Sequence, residues 1–155
     1  MSKKDIETAK TYCMKLLSIC ARSENEISKR LFSKGYAYCE ISLVLAELKE
    51  KRFIDDFRFV RQWIDTRLRS KPGSKSFIRA ELEGKGIETA VIEEVFTERE
   101  SELDDNQIAK KIVRIKADEF KYPLSEKDKA KLFRYLLSRG IDIDIAEEVV
   151  GGTSG

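Results

Sequence analysis

Apolar residues recur along this chain at helical spacing, and one run of positions returns three times. Around three glycines the sequence reads Leu31-Phe-Ser-Lys-Gly35-Tyr36, Leu82-Glu-Gly-Lys-Gly86-Ile87 and Leu136-Leu-Ser-Arg-Gly140-Ile141. A leucine stands four before each glycine, and Ile27, Ile78 and Leu132 stand eight before it, which makes one stripe along a helix. The glycine fits the left-handed position that ends a helix. The base before it suits the negative end of the helix dipole. Beyond the glycine, Ile41, Ile92 and Ala146 lie six on, and Val44, Val95 and Val149 lie nine on. Twelve before it stand Ser23, Ser74 and Asp128, each a good N-cap, with Glu26 completing a capping box at Ser23.

A second correspondence lies upstream. Ile54-Asp-Asp-Phe-Arg-Phe-Val60 parallels Leu103-Asp-Asp-Asn-Gln-Ile-Ala109. Val60, Trp63 and Ile64 then map onto Ala109, Ile112 and Val113, and, shifted back by 51, onto Ala9, Tyr12 and Cys13. The same shift of 51 separates Gly35 from Gly86. Between the second and third copies the shift is 49 for the first helix and 54 for the glycine, which places a five-residue insertion near Lys121–Ser125, beside Pro123. Each repeat of about fifty residues reads as two helices, a glycine turn and a third helix. The pattern predicts helices over 5–21, 24–34, 38–51, 56–70, 75–84, 89–101, 105–119, 126–138 and 143–150, and no strand. The expected fold class is all-α. Three tandem three-helix, helix-turn-helix-like repeats over 1–53, 54–102 and 103–150 would form an elongated, curved array, with 151–155 a flexible tail.

Composition agrees with helix. Charged residues make up 37% of the 155 positions, while glycine (8) and proline (2) are scarce. The chain has no histidine, no Cys-x-x-Cys, no nucleophile elbow and no Walker glycine loop. These features argue against a zinc site, an enzyme and a bound cofactor, so no catalytic, cofactor-binding or metal residue is assigned. Asp55 and Asp56, with Asp104 and Asp105, read as carboxylates that open helices rather than as metal ligands. Cys13, Cys20 and Cys39 stand among core aliphatics and read as buried thiols. Phe59 and Trp63 form an i, i+4 pair suited to core packing. The start, Met-Ser-Lys-Lys-Asp-Ile-Glu, has no apolar signal region, and no uncharged apolar run approaches a membrane span. A soluble, cytoplasmic protein is expected, with no membrane partner.

Several of these segments together resemble the RecX regulatory family. They are Arg22-Ser-Glu-Asn-Glu-Ile27 leading to Leu31 and Lys34-Gly35, then Phe53-Ile-Asp-Asp-Phe-Arg-Phe-Val60, Arg67 through Gly73, and Leu82-Glu-Gly-Lys-Gly-Ile87. The ordered set, spanning about residues 9–150, carries the likeness; the third repeat departs most. The resemblance implies a three-repeat helical protein that binds the RecA nucleoprotein filament along its groove. It would restrain strand exchange, ATP hydrolysis and co-protease activity.

Charge adds a location. Lys and Arg total 30 against 28 acids, so the mean of +2 says little. From Arg58 to Lys85, however, Arg58, Arg61, Arg67, Arg69, Lys71, Lys75, Arg79 and Lys85 face only Asp65, Glu81 and Glu83, a net of +5. From Gly86 to Asp105 eight acids face Arg99 alone, a net of −7. A basic surface beside an acidic one suits a partner that is itself a protein–DNA assembly, and those eight bases are the expected binding set. The plain alternative is solvated helix faces laced with ion pairs. Arg67, four after Trp63, is also placed to pair with a carboxylate. Two other functions stay open: direct DNA binding through a helix-turn-helix, and a general helical scaffold. Against the first, Glu88, Glu93, Glu94 and Glu98 would bring the third helix of the middle repeat acid-first to phosphates. A monomer is expected, with direct DNA contact the weaker part of binding.

Overall fold

The computed structural model describes residues 3–152. Among them the chain folds as α1 (Lys3–Ile19), α2 (Glu24–Ser33), α3 (Tyr38–Glu50), α4 (Asp56–Arg69), α5 (Lys75–Gly84), α6 (Thr89–Glu98), α7 (Asp105–Lys116), a 3-10 turn (Ala117–Glu119), α8 (Glu126–Ser138) and α9 (Ile143–Gly152). No strand occurs among the described residues. The fold is all-α, as the apolar spacing predicts.

The three glycine turns share one set of hydrogen bonds. The amides of Tyr36, Ile87 and Ile141 donate to the carbonyls of Leu31, Leu82 and Leu136 at 3.2, 3.2 and 3.1 Å. Those of Gly35, Gly86 and Gly140 donate to Phe32, Glu83 and Leu137 at 3.0 Å in each case. This is the Schellman arrangement, and the three glycines take φ of 92°, 78° and 81°. Leu31, Leu82 and Leu136 are all fully buried. Ile27, Ile78 and Leu132 are buried with them, as are Ile41, Ile92 and Ala146. Ala9, Cys13, Ile27, Leu31, Ile41, Val44 and Leu48 of the first repeat form one cluster with Ile54, the first residue of the second.

By contacts the chain divides into two compact units, Met1–Gln62 with Leu82–Glu93, and Trp63–Glu81 with Glu94–Gly155. Each contains one junction between consecutive repeats, and the two junctions are built alike. In the first unit, Ser23 caps α2 by accepting from the amide of Glu26 (3.2 Å). The adjoining amide, Glu24, donates to Asp56 Oδ1 at 2.9 Å. Ser23 Oγ and Asn25 Nδ2 donate to the Lys85 carbonyl, beside Gly86, at 3.4 and 3.3 Å. In the second unit, Ser74 caps α5 by accepting from Phe77 (3.1 Å), Lys75 donates its amide to Asp105 Oδ1 (2.8 Å), and Ser74 donates its own to the Arg139 carbonyl (2.9 Å). The second aspartate of each Asp-Asp pair thus caps a helix of the preceding repeat. The first caps its own: Asp55 accepts from Phe57 and Arg58, and Asp104 from Asn106. Ser23 and Ser74, 1% and 0% exposed, are the buried polar residues of the described chain.

Four local expectations are corrected. Asp128 does not cap α8; Ser125 does, accepting from the Asp128 amide at 3.1 Å. The helix spans the expected 126–138, one turn more than an Asp128 cap would allow, and its 13 residues against 10 for α2 and α5 mean that three of the five inserted residues extend it. The capping box at Ser23 is half made, because Glu26 turns its carboxylate to Arg22 (3.3 Å). Gly151 and Gly152, expected in the tail, form the last turn of α9, where a helix end can run on by a residue or two; Thr153, Ser154 and Gly155 lie outside the described residues. Cys13 is buried, whereas Cys20, just past the end of α1, and Cys39, on the outer face of α3, are exposed.

Two predictions follow from this packing. A Cβ on Gly86 would lie 2.3 Å from Nδ2 and 2.8 Å from Cβ of Asn25, and one on Gly140 would lie 2.4 Å from Oγ of the buried cap Ser74 and 3.0 Å from Phe77 Cβ. At Gly35 nothing stands within 4 Å. Gly35→Ala should therefore cost only the left-handed strain, about 1–2 kcal/mol. Urea unfolding should show larger losses for both Gly86→Ala and Gly140→Ala. Equal losses at all three would deny the close approach. Burial also pushes the Cys13 thiol up to about 11. A disulfide reagent at pH 8 should titrate two thiols in the native protein, Cys20 and Cys39, and the third only on unfolding.

Candidate functional site

The eight bases of the middle repeat meet different fates. Arg58 reaches back and donates to the carbonyls of Arg52 (3.2 Å) and Phe53 (3.4 Å), satisfying the chain where it leaves α3. Arg67 forms a two-pronged pair with Glu81, Nε to Oε1 at 2.9 Å and Nη2 to Oε2 at 2.6 Å, and its guanidinium lies 4.9 Å from the Trp63 ring centre. Trp63 Nε1 donates to the same carboxylate at 3.4 Å. This is the carboxylate pairing that the sequence left open for Arg67, and it ties α4 to α5. Arg79 lies 5.2 Å from the ring centre of buried Phe96. Arg61 and Lys85 are also engaged. Arg69, Lys71 and Lys75 remain, with no hydrogen bond or ion pair from their side chains among the described residues. They bracket the corner between α4 and α5, in the second unit.

That corner is held rigidly. Arg139 donates through Nε to the Pro72 carbonyl at 2.8 Å and through Nη2 to the Lys71 carbonyl, and it stacks 4.3 Å from the Phe77 ring centre. Lys71 sits at φ 52°, a left-handed conformation uncommon for a side-chain-bearing residue, and exposes its side chain. Gly73, where a Cβ would lie 2.5 Å from Phe77, lets the chain pass under that ring.

Arg69 also lines an open depression of about 540 Å³ in the second unit, together with Lys111 and Arg114 of α7. Two carboxylates line it as well, Asp65 and Glu102, and both are paired to Arg99, at 2.7 and 3.3 Å. Arg69, Lys111 and Arg114 therefore carry its excess charge. Lys111 and Arg114 are three apart on α7, so they share a helix face; counting charge along one window of sequence missed them because they belong to the next repeat. A second depression, of about 410 Å³ in the first unit, is of the opposite character. Glu24, Asp56 and Glu88 line it against Lys49, which pairs with Glu24 at 3.2 Å.

Among the described residues no group of three or more His, Cys, Asp or Glu could hold a metal ion. No helix there is long and apolar enough to cross a membrane.

This architecture defines an all-α protein of tandem three-helix domains. The family model for the first three-helix domain of RecX matches residues 9–48, and that for the second matches residues 55–95. The regulatory protein RecX of Pelodictyon phaeoclathratiforme is 31% identical over 144 residues, covering 92% of this chain and 86% of that protein. That of Mycobacterium avium is 31% identical over 148 residues, covering 93% and 83%. The crystal structure of RecX from Lactobacillus salivarius superimposes with a TM-score of 0.72 at 19% identity, covering 98% of each chain. The chain belongs to the RecX family of regulatory proteins.

Burial raises the Asp56 carboxyl above the usual range, and the Glu24 amide that it accepts from pulls the other way. A raised folded-state value means that protonated Asp56 favours the folded state. Its contribution is full below about pH 4 and is lost as pH rises through the folded value. Asp56→Asn keeps an oxygen for the Glu24 amide and removes the desolvated charge. Its stability relative to the parent should rise between pH 4 and 7 in denaturant melts. Asp56→Ala also loses the cap and should cost about 0.5–2 kcal/mol near pH 4, with the cost shrinking as pH rises to 7. A relative stability of the Asn variant that falls with pH would reverse the sign assigned here.

Proposed function

We propose that this chain is a cytoplasmic, non-enzymatic regulator that binds the RecA nucleoprotein filament and restrains its activities. The family supports the regulatory role. The observation that supports the contact surface is that Arg69, Lys71, Lys75, Lys111 and Arg114 alone combine two properties. They stand at the α4–α5 corner or the basic depression, and their side chains have no partner within the described protein. A base already paired within the fold must give up that pair to bind; these five need not. Phosphates of the filament's DNA, or carboxylates of its protein, are the ligands that such a set attracts. As a lone DNA-binding module the protein is less well suited, because α6 exposes Glu93, Glu94 and Glu98 where a recognition helix would meet phosphate.

The test is RecA ATP hydrolysis on single-stranded DNA, titrated with parent and variant. Replacing Arg69, Lys71, Lys111 and Arg114 together by Ala should leave the helical circular dichroism intact and weaken inhibition at least tenfold, about 1.4 kcal/mol. If the contacts are phosphates, each lost base should lower the slope of log affinity against log salt by about one. A folded variant that inhibits as well as the parent would move the interface elsewhere, with the basic first repeat around Lys29, Arg30 and Lys34 the next to examine.

A further inference from the structure

Between Glu26 and Glu40 the chain carries no acid, and Lys29, Arg30 and Lys34 are interleaved with Phe32, Tyr36 and Tyr38. The stretch covers the end of α2, the Gly35 turn and the start of α3. Lys29, Arg30 and Lys34 are exposed, and so are two of the rings, Phe32 at 74% and Tyr38 at 85%. Single apolar residues on a surface are ordinary, but two open rings set among bases with no acid between them are not.

The fold does not need these side chains. The second repeat builds the same turn, with the same hydrogen bonds, from Glu81, Glu83 and Thr89 where the first has Arg30, Phe32 and Tyr38. Nor is the turn covered. A Cβ at Gly86 or Gly140 would strike the helix start packed on it, whereas at Gly35 nothing lies within 4 Å. Glu24, Ser28 and Phe32 form one i, i+4 row on α2, and Glu24, Ser28 and Tyr38 line the depression of about 410 Å³. Phe32 continues that wall toward Gly35, and Tyr38 opens α3 just beyond it. On the α1 side of the turn, Lys34 Nζ lies 4.8 Å from the Tyr12 ring centre. The side chains of Lys29 and Arg30 have no hydrogen bond or ion pair among the described residues. Glu24, with Asp56 bonded to its amide, stands two helical turns from Phe32, so an anionic chain is steered across the turn and not along the depression.

We infer that the Gly35 turn is a binding surface for single-stranded nucleic acid, with bases stacked on Phe32 and Tyr38 and phosphates on Lys29, Arg30 and Lys34. An unpaired base presents a flat apolar face with an anion one linkage away, and rings set among cations complement both. A run of carboxylates would satisfy the cations and leave the rings in water. A duplex keeps its base faces stacked inside. No recognition helix enters a groove in this mode, so the acids of α6 do not oppose it. The surface belongs to the first compact unit, and the inference does not rest on the RecA reading.

Fluorescence anisotropy of a labelled oligothymidylate, with the full chain and no RecA, tests this. The parent should bind the strand and weaken as salt rises. An abasic strand of equal length has the same phosphates without bases and should bind about fivefold more weakly or worse. Phe32→Ala and Tyr38→Ala each remove an exposed ring, and circular dichroism checks that the helices remain. Each should weaken oligothymidylate binding by about fivefold or more, leave the salt slope unchanged and not alter binding of the abasic strand. Lys29→Ala should instead lower the salt slope by about 0.7 for both strands. With iodouracil in place of thymine, ultraviolet cross-links should map to Phe32 or Tyr38. No binding of the oligothymidylate, an abasic strand that binds as well, ring variants that bind like the parent, or cross-links outside residues 29–38 would each overturn the inference. Displacement of the strand by an equal charge of polyglutamate would make an acidic protein segment the occupant and overturn it too.

Discussion

A helix that begins inside a protein leaves its first amides without intrahelical partners, and each must find an acceptor there. In this molecule α2 and α5 begin at buried serines, and a carboxylate from another helix takes the amide that the serine leaves over. Asp56 and Asp105 are therefore structural before they are anything else. Each fixes where a helix of one repeat stands against the first helix of the next. The close approach at Gly86 and Gly140 follows, because a helix start held at that distance leaves no room for a Cβ on the facing turn. Cap, carboxylate and glycine form one linked set in each unit.

The same economy of partners separates the bases. A guanidinium near a carboxylate and an aromatic ring, as Arg67 is near Glu81 and Trp63, is a brace between helices. Arg58 serves the carbonyls at the end of α3, and Arg139 serves those of the α4–α5 corner. By tying down the backbone of Lys71 and Pro72, Arg139 gives the corner a fixed conformation from which Arg69 and Lys71 project. Bases of similar charge thus divide into those that hold the scaffold and those that the scaffold presents.

Features that depend on neighbours three or four residues away were legible in the sequence. The apolar stripe, the glycine turns, the Ser23 and Ser74 caps and the self-capping by Asp55 need only helical geometry. Features that depend on what lies across a junction were not. Asp56 looks like a second residue of its own helix, and only the packed structure shows that it reaches the amide of Glu24. Asp128 was the cap that the shared register predicts, and the insertion before it hid that Ser125 takes that place. The charge count treated Arg58 and Arg69 as equals because a sum along the chain cannot see that a nearby carbonyl claims one of them. It missed Lys111 and Arg114 because their approach to Arg69 is made in space and not in sequence.

The two compact units are not consecutive stretches of chain. One needs residues 1–62 and 82–93, and the other needs 63–81 and everything after 93. As the chain emerges during synthesis, the helices of the first repeat can pair early, but their buried cap at Ser23 is not covered until the Gly86 turn has followed. The stretch from Trp63 to Glu81 waits longer still, for α7 to α9. Loop closures over such separations are slow compared with forming one helix. The middle segment, which carries the exposed Arg69 and Lys71, is therefore the last to acquire its full set of neighbours.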